Sequence, residues 1–143
     1  MTVASILANK GTDIVTVNPD ESLLAVAQLL DKNKIGAVVA VDADGKLAGI
    51  MSERDVVRAV ARGGPEALGE AVATHMTKKV VTCKNEDRIS SVMLKMTEGK
   101  FRHVPVVNGG KLAGIISIGD VVKRRIADIE TEWQAMQDYI AAG

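Results

Sequence analysis

Two serine–aspartate pairs carry the polar chemistry this chain can offer. Ser52-Glu53-Arg54-Asp55 and Ser117-Ile118-Gly119-Asp120 each place a hydroxyl three residues before a carboxylate. A carboxylate accepts hydrogen bonds from two vicinal hydroxyls at once. The serine hydroxyl, with the free N–H groups of a helix first turn, can meet a phosphate at the positive end of the helix dipole. The same spacing is also that of a capping box, Ser at the N-cap and an acid at N3, which does no more than start a helix. Spacing alone leaves both readings open. Arg54 is sharper, because a guanidinium grips phosphate bidentately, and the second copy has Gly119 in its place. Arg102 and His103 offer further donors where the first copy has only Gly36 and Ala37. Surface solvation explains Arg102 as readily, and His103 reads equally as a satisfied strand histidine.

Nothing in the chain pairs a nucleophile with a base. His75 and His103 are the only histidines, His-Glu-x-x-His is absent, and Cys83 falls in a predicted strand with no assigned base. Gly45-Lys46 and Gly110-Lys111 lack the upstream glycine of a P-loop. The expectation is a protein with no catalytic residues, no metal and no catalytic cofactor. Eighteen basic residues balance eighteen acidic ones, so no global field gathers nucleic acid or an anionic membrane. The lone cysteine permits no internal disulfide and suits a reducing compartment. With no apolar run near the ~20 residues of a membrane span and no basic leader at Met1-Thr2-Val3, the expected location is the cytoplasm.

The elements that must position these residues come as a duplication. Val15-Thr16-Val17 lies over Val81-Thr82-Cys83, an offset of 66 residues. In the same register Leu23, Val26, Ala27 and Leu30 fall on Ile89, Val92, Met93 and Met96, the i, i+3, i+4, i+7 stripe of an amphipathic helix. Gly36–Val41 and Arg102–Val107 read as strands leading into glycine turns. The second turn is one residue shorter, so Lys46-Leu47-Ala48-Gly49-Ile50 matches Lys111-Leu112-Ala113-Gly114-Ile115 at an offset of 65. Each half thus reads strand, helix, strand, turn, strand, helix, and an indel placed in a turn is the tolerated kind. With 47% hydrophobic but only 2% aromatic residues, the core must be Val, Ile, Leu, Ala and Met. A unit this small buries too little alone, so two units packed about a pseudo-twofold axis are expected. The predicted segments are an N-terminal helix or linker over 1–13, repeats over 14–63 and 80–127, a linker helix over 64–79, and a helical extension over 128–143.

Taken together, several segments resemble the CBS domain, whose tandem pair is called a Bateman module. They are Gly11-Thr12-Asp13-Ile14-Val15-Thr16-Val17-Asn18-Pro19, His75-Met76-Thr77-Lys78-Lys79-Val80-Val81-Thr82, Arg102-His103-Val104-Pro105-Val106-Val107, and the closing motifs Gly49–Asp55 and Gly114–Asp120. The resemblance covers residues 3 to 127 and implies an α/β fold of the α+β type, with two β-α-β-β-α repeats around a cleft. It further implies a regulatory ligand, AMP, ADP, ATP, NAD or S-adenosylmethionine, and frequent dimerisation into a flat disc. Carried over residue by residue, Asp55 and Asp120 match the ribose-binding aspartate, and Ser52, Arg54, Ser117, Arg102 and His103 stand where phosphate would be held. Gly36, Ala37, Val38, Val104 and Pro105 would wall the adenine pockets. Thr16 and Thr82 sit where members contact the base through the backbone, although Thr and Val in strands are also simply good β-formers.

From Asp120 the chain runs without Gly or Pro to Ala142. Val122, Ile126, Ile129, Trp133, Met136 and Ile140 step by 4, 3, 4, 3, 4, the seam of a coiled coil. A long C-terminal helix that pairs with a second copy is the favoured expectation, against one that covers its own domain. The functional expectation is a nucleotide-binding regulator acting on an unidentified effector protein, with a ligand-free dimerisation module as the alternative.

Overall fold

The computed structural model describes residues 1–143 and consists of six α-helices and five β-strands. In chain order they are α1 (Val3–Lys10), β1 (Thr16–Val17), α2 (Leu23–Asn33), β2 (Ala37–Val41), β3 (Leu47–Ser52), α3 (Glu53–Gly63), α4 (Val72–His75), α5 (Ile89–Gly99), β4 (His103–Asn108), β5 (Lys111–Ser117) and α6 (Ile118–Ala142). No helix is long and apolar enough to cross a membrane.

Each repeat is built around a hairpin. β2 and β3 pair antiparallel from Ala37↔Ser52 to Val41↔Leu47, and β4 and β5 from His103↔Ser117 to Asn108↔Lys111. The register slips once in each, at Ala40/Val41 and at Val106/Val107, so even the irregularity is duplicated. The leading strand is not duplicated so well. β1 pairs in parallel with β2 through Thr16↔Val39 and Val17↔Ala40. Its counterpart shrinks to a single bridge, Cys83↔Val106. The expected linker helix likewise breaks into a 3-10 turn, Pro65–Gly69, and the four-residue α4. Gly64, at φ 75°, ends α3 where a side chain would be strained.

The two cores are interleaved. Val17, Leu23, Val26, Leu30, Val38 and Met51 of the first repeat close over Ala67 and Val72, which precede the second repeat. Ile89, Val92, Met96, Val104 and Ile116 of the second close over Val3, Ile6 and Leu7, which precede the first. Each of the wholly buried Val3 and Val72 contributes about 1.5–3 kcal/mol by leaving water. Val3-Ala4 matches Val72-Ala73 at an offset of 69, so the duplication reaches back into the N-terminal helix. The packing repeats with it. A Cβ on Gly114 would lie 2.8 Å from Leu7 Cδ2, and one on Gly49 would lie 2.5 Å from Met76 Sδ. Glycine lets each crossing helix settle directly on the opposite hairpin.

α6 is continuous through the predicted repeat boundary at 127. Its first turn buries Val121 in the second core, whereas the seam from Val122 to Ile140 stays exposed, Trp133 by 62%.

Candidate functional site

The structure gathers nine of the singled-out residues, Gly36, Ala37, Ser52, Arg54, Asp55, Arg102, His103, Ser117 and Asp120, into two clefts, each shared by both repeats. Cleft A, of about 340 Å³, sets Ser52, Arg54 and Asp55 of the first repeat against Val80, Val81 and Lys100–His103 of the second. Cleft B, of about 360 Å³, sets Ser117 and Asp120 against Asp13–Val15 and Lys34–Ala37 of the first. Gly36 and His103 line both and form the junction.

Both serine–aspartate pairs form complete capping boxes. Asp55 Nα–H donates to Ser52 Oγ at 3.2 Å while Ser52 N–H and Oγ–H donate to Asp55 Oδ2 at 2.9 and 3.1 Å. Asp120 repeats this, with Ser117 N–H donating to its Oδ2 at 2.9 Å. Capping and ligand binding are therefore compatible, because the cap engages one carboxylate oxygen and turns Oδ1 elsewhere. The helix starts themselves offer less than the sequence reading assumed. Glu53 N–H already donates to the Gly36 carbonyl and Ile118 N–H to that of Arg102, so each first turn keeps one free amide, at Arg54 and at Gly119.

The cations are distributed differently from the sequence expectation, in which Arg102 and His103 made up for the missing arginine of the second repeat. Because the clefts are composite, Arg102 and His103 face the same cavity as Arg54. Cleft A collects Arg54, Arg58, Lys79, Lys100 and Arg102 against the acids Glu53 and Asp55. In cleft B, Lys10 and Lys34 are balanced by Asp13 and Asp120.

Three of the predicted pocket walls lie elsewhere. Val38 and Val104 have no exposure and belong to the two cores, and Pro105 is buried beside Val104 in β4. The central strands are covered on both faces, so only their first residues, Gly36, Ala37 and His103, reach a cleft. Thr16 and Thr82 line neither cavity, whose walls come from Ile14 and Val15 in B and from Val80 and Val81 in A.

Lys10, Lys34, Lys79, Lys100 and Arg58 went unremarked in the sequence, yet four of them are duplicated. Lys34 and Lys100 share the 66-residue offset, and Lys10 and Lys79 the 69-residue one. Lys34 and Lys100 end α2 and α5 in the left-handed region, φ 52° and 57°. That conformation costs a residue with a Cβ on the order of 1 kcal/mol, and glycine would be relaxed there. Lys34 lines cleft B and Lys100 cleft A.

At the junction a Cβ on Gly36 would fall 3.0 Å from His103 Cε1. Burial lowers the His103 pKa below its ordinary value, with Lys10 and Arg102 acting the same way and Glu53 and Asp120 opposing. For Asp120, burial acts to raise the carboxyl pKa, but hydrogen bonds from Lys10 and Ser117 and the Lys10 charge outweigh it and hold the group below its usual range.

The CBS domain family model matches residues 3–62 and 70–127. The CBS-domain containing protein ATU1752 from Agrobacterium tumefaciens is 52% identical, with a TM-score of 0.85 over 87% of this chain and 92% of that one. The CBS domain pair of protein MJ0100, crystallised with 5'-methylthioadenosine and S-adenosyl-L-methionine, is 26% identical at a TM-score of 0.80, covering 90% and 98%. The CBS domain protein PAE2072 from Pyrobaculum aerophilum, complexed with AMP, is 28% identical at a TM-score of 0.76, covering 84% and 89%. With two matched repeats, duplicated capping aspartates and composite clefts between them, the chain belongs to the CBS-domain family as a tandem pair.

Proposed function

We propose that the protein is a non-catalytic regulatory module that binds a phosphorylated adenine nucleotide in cleft A. The observation that carries this reading is the set of five cations, Arg54, Arg58, Lys79, Lys100 and Arg102, around Asp55. Asp55 Oδ1 takes the ribose hydroxyls. Arg54, its free amide and Arg102 take the phosphate, with Ser52 beside them. The base lies against Gly36, Val81 and Phe101. The AMP carried by the Pyrobaculum relative supports an adenosine ligand. S-adenosylmethionine, found with the MJ0100 pair, brings a sulfonium cation that five cations repel, whereas AMP, ADP, ATP and NAD bring anions.

A regulatory role fits the lack of reactive groups. Burial and the nearby Asp87 push the Cys83 thiol up to about 11, despite the opposing charge of Lys95. A thiol so held is not a nucleophile at neutral pH. The free cysteine suits a reducing cytoplasm. The signal would pass to an effector protein as a change in the mutual orientation of the repeats, limited by the ligand's differential affinity for the two states. Calorimetric titration with AMP, ATP, NAD and S-adenosylmethionine tests the reading. Binding of the anionic nucleotides with S-adenosylmethionine much weaker is expected; no heat with any of them would leave a structural module. Nucleotide consumed on long incubation would instead reveal an enzyme.

The second reading is self-association, and the exposed seam Val122, Ile126, Ile129, Trp133, Met136 and Ile140 on α6 favours it. Exposed apolar side chains at coiled-coil spacing are stabilised by a second copy. A homodimer in analytical ultracentrifugation that dissociates on Trp133→Glu is the expected result.

A further inference from the structure

Lys10 closes α1 and reaches over to the second repeat. Its ammonium donates to the Ile115 carbonyl at 2.7 Å and to Asp120 Oδ2 at 2.5 Å. Val3, Ile6 and Leu7 hold α1 in the second core, so the lysine stem starts from a fixed base. Its position in the last turn also suits the negative end of the helix dipole. In cleft A the lysine at the corresponding sequence position, Lys79, lies beyond the end of α4, and the ion pair at Asp55 is a longer one, 3.4 Å from Arg58, whose side chain is half exposed. Lys10 and the Ser117 cap thus share Asp120 Oδ2, whereas the cap on Asp55 has Oδ2 to itself and only the longer Arg58 contact reaches Oδ1.

A nucleoside that sets its two vicinal hydroxyls on the two oxygens of Asp120 finds Oδ2 already accepting from Ser117 N–H and from Lys10, and competes with Lys10 for it. If the nucleoside is uncharged, the displaced ammonium gains nothing in exchange. A phosphate changes the balance, since it offers the ammonium a new anion within a cavity whose only other cation is Lys34. We propose that Lys10 is the specificity-determining residue of cleft B, a cationic stopper on Asp120 that yields to phosphorylated nucleosides and excludes uncharged ones. This deepens the nucleotide reading and rests on the capping aspartates being the ribose ligands.

The test compares adenosine with AMP on the wild type, Lys10→Met and Lys10→Arg, followed through the amide NMR signals of Gly119 and Asp120 in cleft B and of Arg54 and Asp55 in cleft A. Methionine keeps the apolar stem at this exposed helix end, and arginine keeps the charge. In cleft B, Lys10→Met should tighten adenosine and weaken AMP, so that the preference for AMP falls at least about tenfold, the value of one hydrogen bond to a charged group. Lys10→Arg should retain the preference. An unchanged preference in Lys10→Met, or its loss in Lys10→Arg as well, overturns the stopper and leaves the nucleotide reading intact. Signals that move only in cleft A have the same meaning. Signals that move in neither cleft, with either ligand, overturn both.

Discussion

Clefts A and B are made from the same duplicated parts and differ in charge. Both have a capping aspartate, a serine, a lysine from the end of the central helix and a second lysine, Lys10 at the end of α1 in B and Lys79 four residues beyond α4 in A. Cleft A adds three arginines, Arg54, Arg58 and Arg102, whose counterparts in the other repeat are Gly119, Lys123 and Gly36. The apolar walls correspond, Ile14, Val15, Ile35 and Ile115 of cleft B standing where cleft A has Val80, Val81, Phe101 and Ile50, and cleft B adds Ala37. Duplication preserved the backbone that shapes each cleft, while substitution at a few cleft-facing positions set its charge. The chain therefore has one cation-rich cleft and one nearly neutral one.

The largest effect should come from removing the arginines that separate the clefts. Losing Arg54 and Arg102 together takes away two charge-assisted contacts, each worth about 1.5–3 kcal/mol. AMP affinity at cleft A should fall roughly a hundredfold or more, with cleft B unchanged, as read by calorimetry and the two sets of amide signals. Next is the inverse experiment. Gly119→Arg installs in the second repeat the residue that Arg54 supplies in the first. Gly119 has ordinary φ, and a Cβ there meets only Ser117 Oγ at 3.6 Å, so the fold should accept it. Phosphate affinity at cleft B should rise about tenfold, in line with one charge-assisted contact. A null result would place the asymmetry in the cavity walls. Asp55→Ala and Asp120→Ala should likewise weaken different sites, each also costing about 1 kcal/mol as half of a capping box. Equal and complete loss from either one would mean a single shared pocket.

The fold was legible because its signal is periodic. The helical stripes, the two hairpins and the turn indel could be read from apolar spacing, and all of them stand where the offset put them. The site was legible only in part. Ser52, Asp55, Ser117 and Asp120 announce themselves by a fixed local spacing, and that spacing is the cap itself. Which repeat supplies the opposite wall is a long-range fact. Arg102 could be recognised as a cation, but only the packing of Gly36 against His103 shows that it shares a cavity with Arg54. Val38 and Val104 were misplaced because a strand covered on both faces and one lining a pocket have the same composition. Lys10 and Lys79 were detectable in principle. They end a second, shorter repeat at a different offset, which the dominant 66-residue register conceals.

The smallest expected effect concerns pH, and it tests whether the junction belongs to both clefts. His103 has its pKa lowered in the folded protein, so below its ordinary value of 6.5 the unfolded chain takes up the proton first. Its contribution to stability is therefore present above that pH and lost as pH falls below it. Asp120 also has a lowered pKa, from an ordinary value of 3.8, and its contribution is present above that pH and lost as pH falls through the folded value. The two windows open at different pH, one below 6.5 and the other below 3.8. His103→Gln should flatten the fall in melting temperature between about pH 7 and pH 5 while leaving the fall below pH 4 intact, and Asp120→Asn should do the reverse. The partly exposed Lys10–Asp120 pair is worth at most about 1 kcal/mol, a change of about 2–4 °C for a chain of this size. If Lys10→Met removes the lower-pH fall as Asp120→Asn does, the stopper is intact in the free protein. Bound AMP should then remove the Lys10 dependence, because the phosphate takes the ammonium from the carboxylate. A dependence that survives saturation with AMP would mean that ligand and Lys10 do not meet at Asp120.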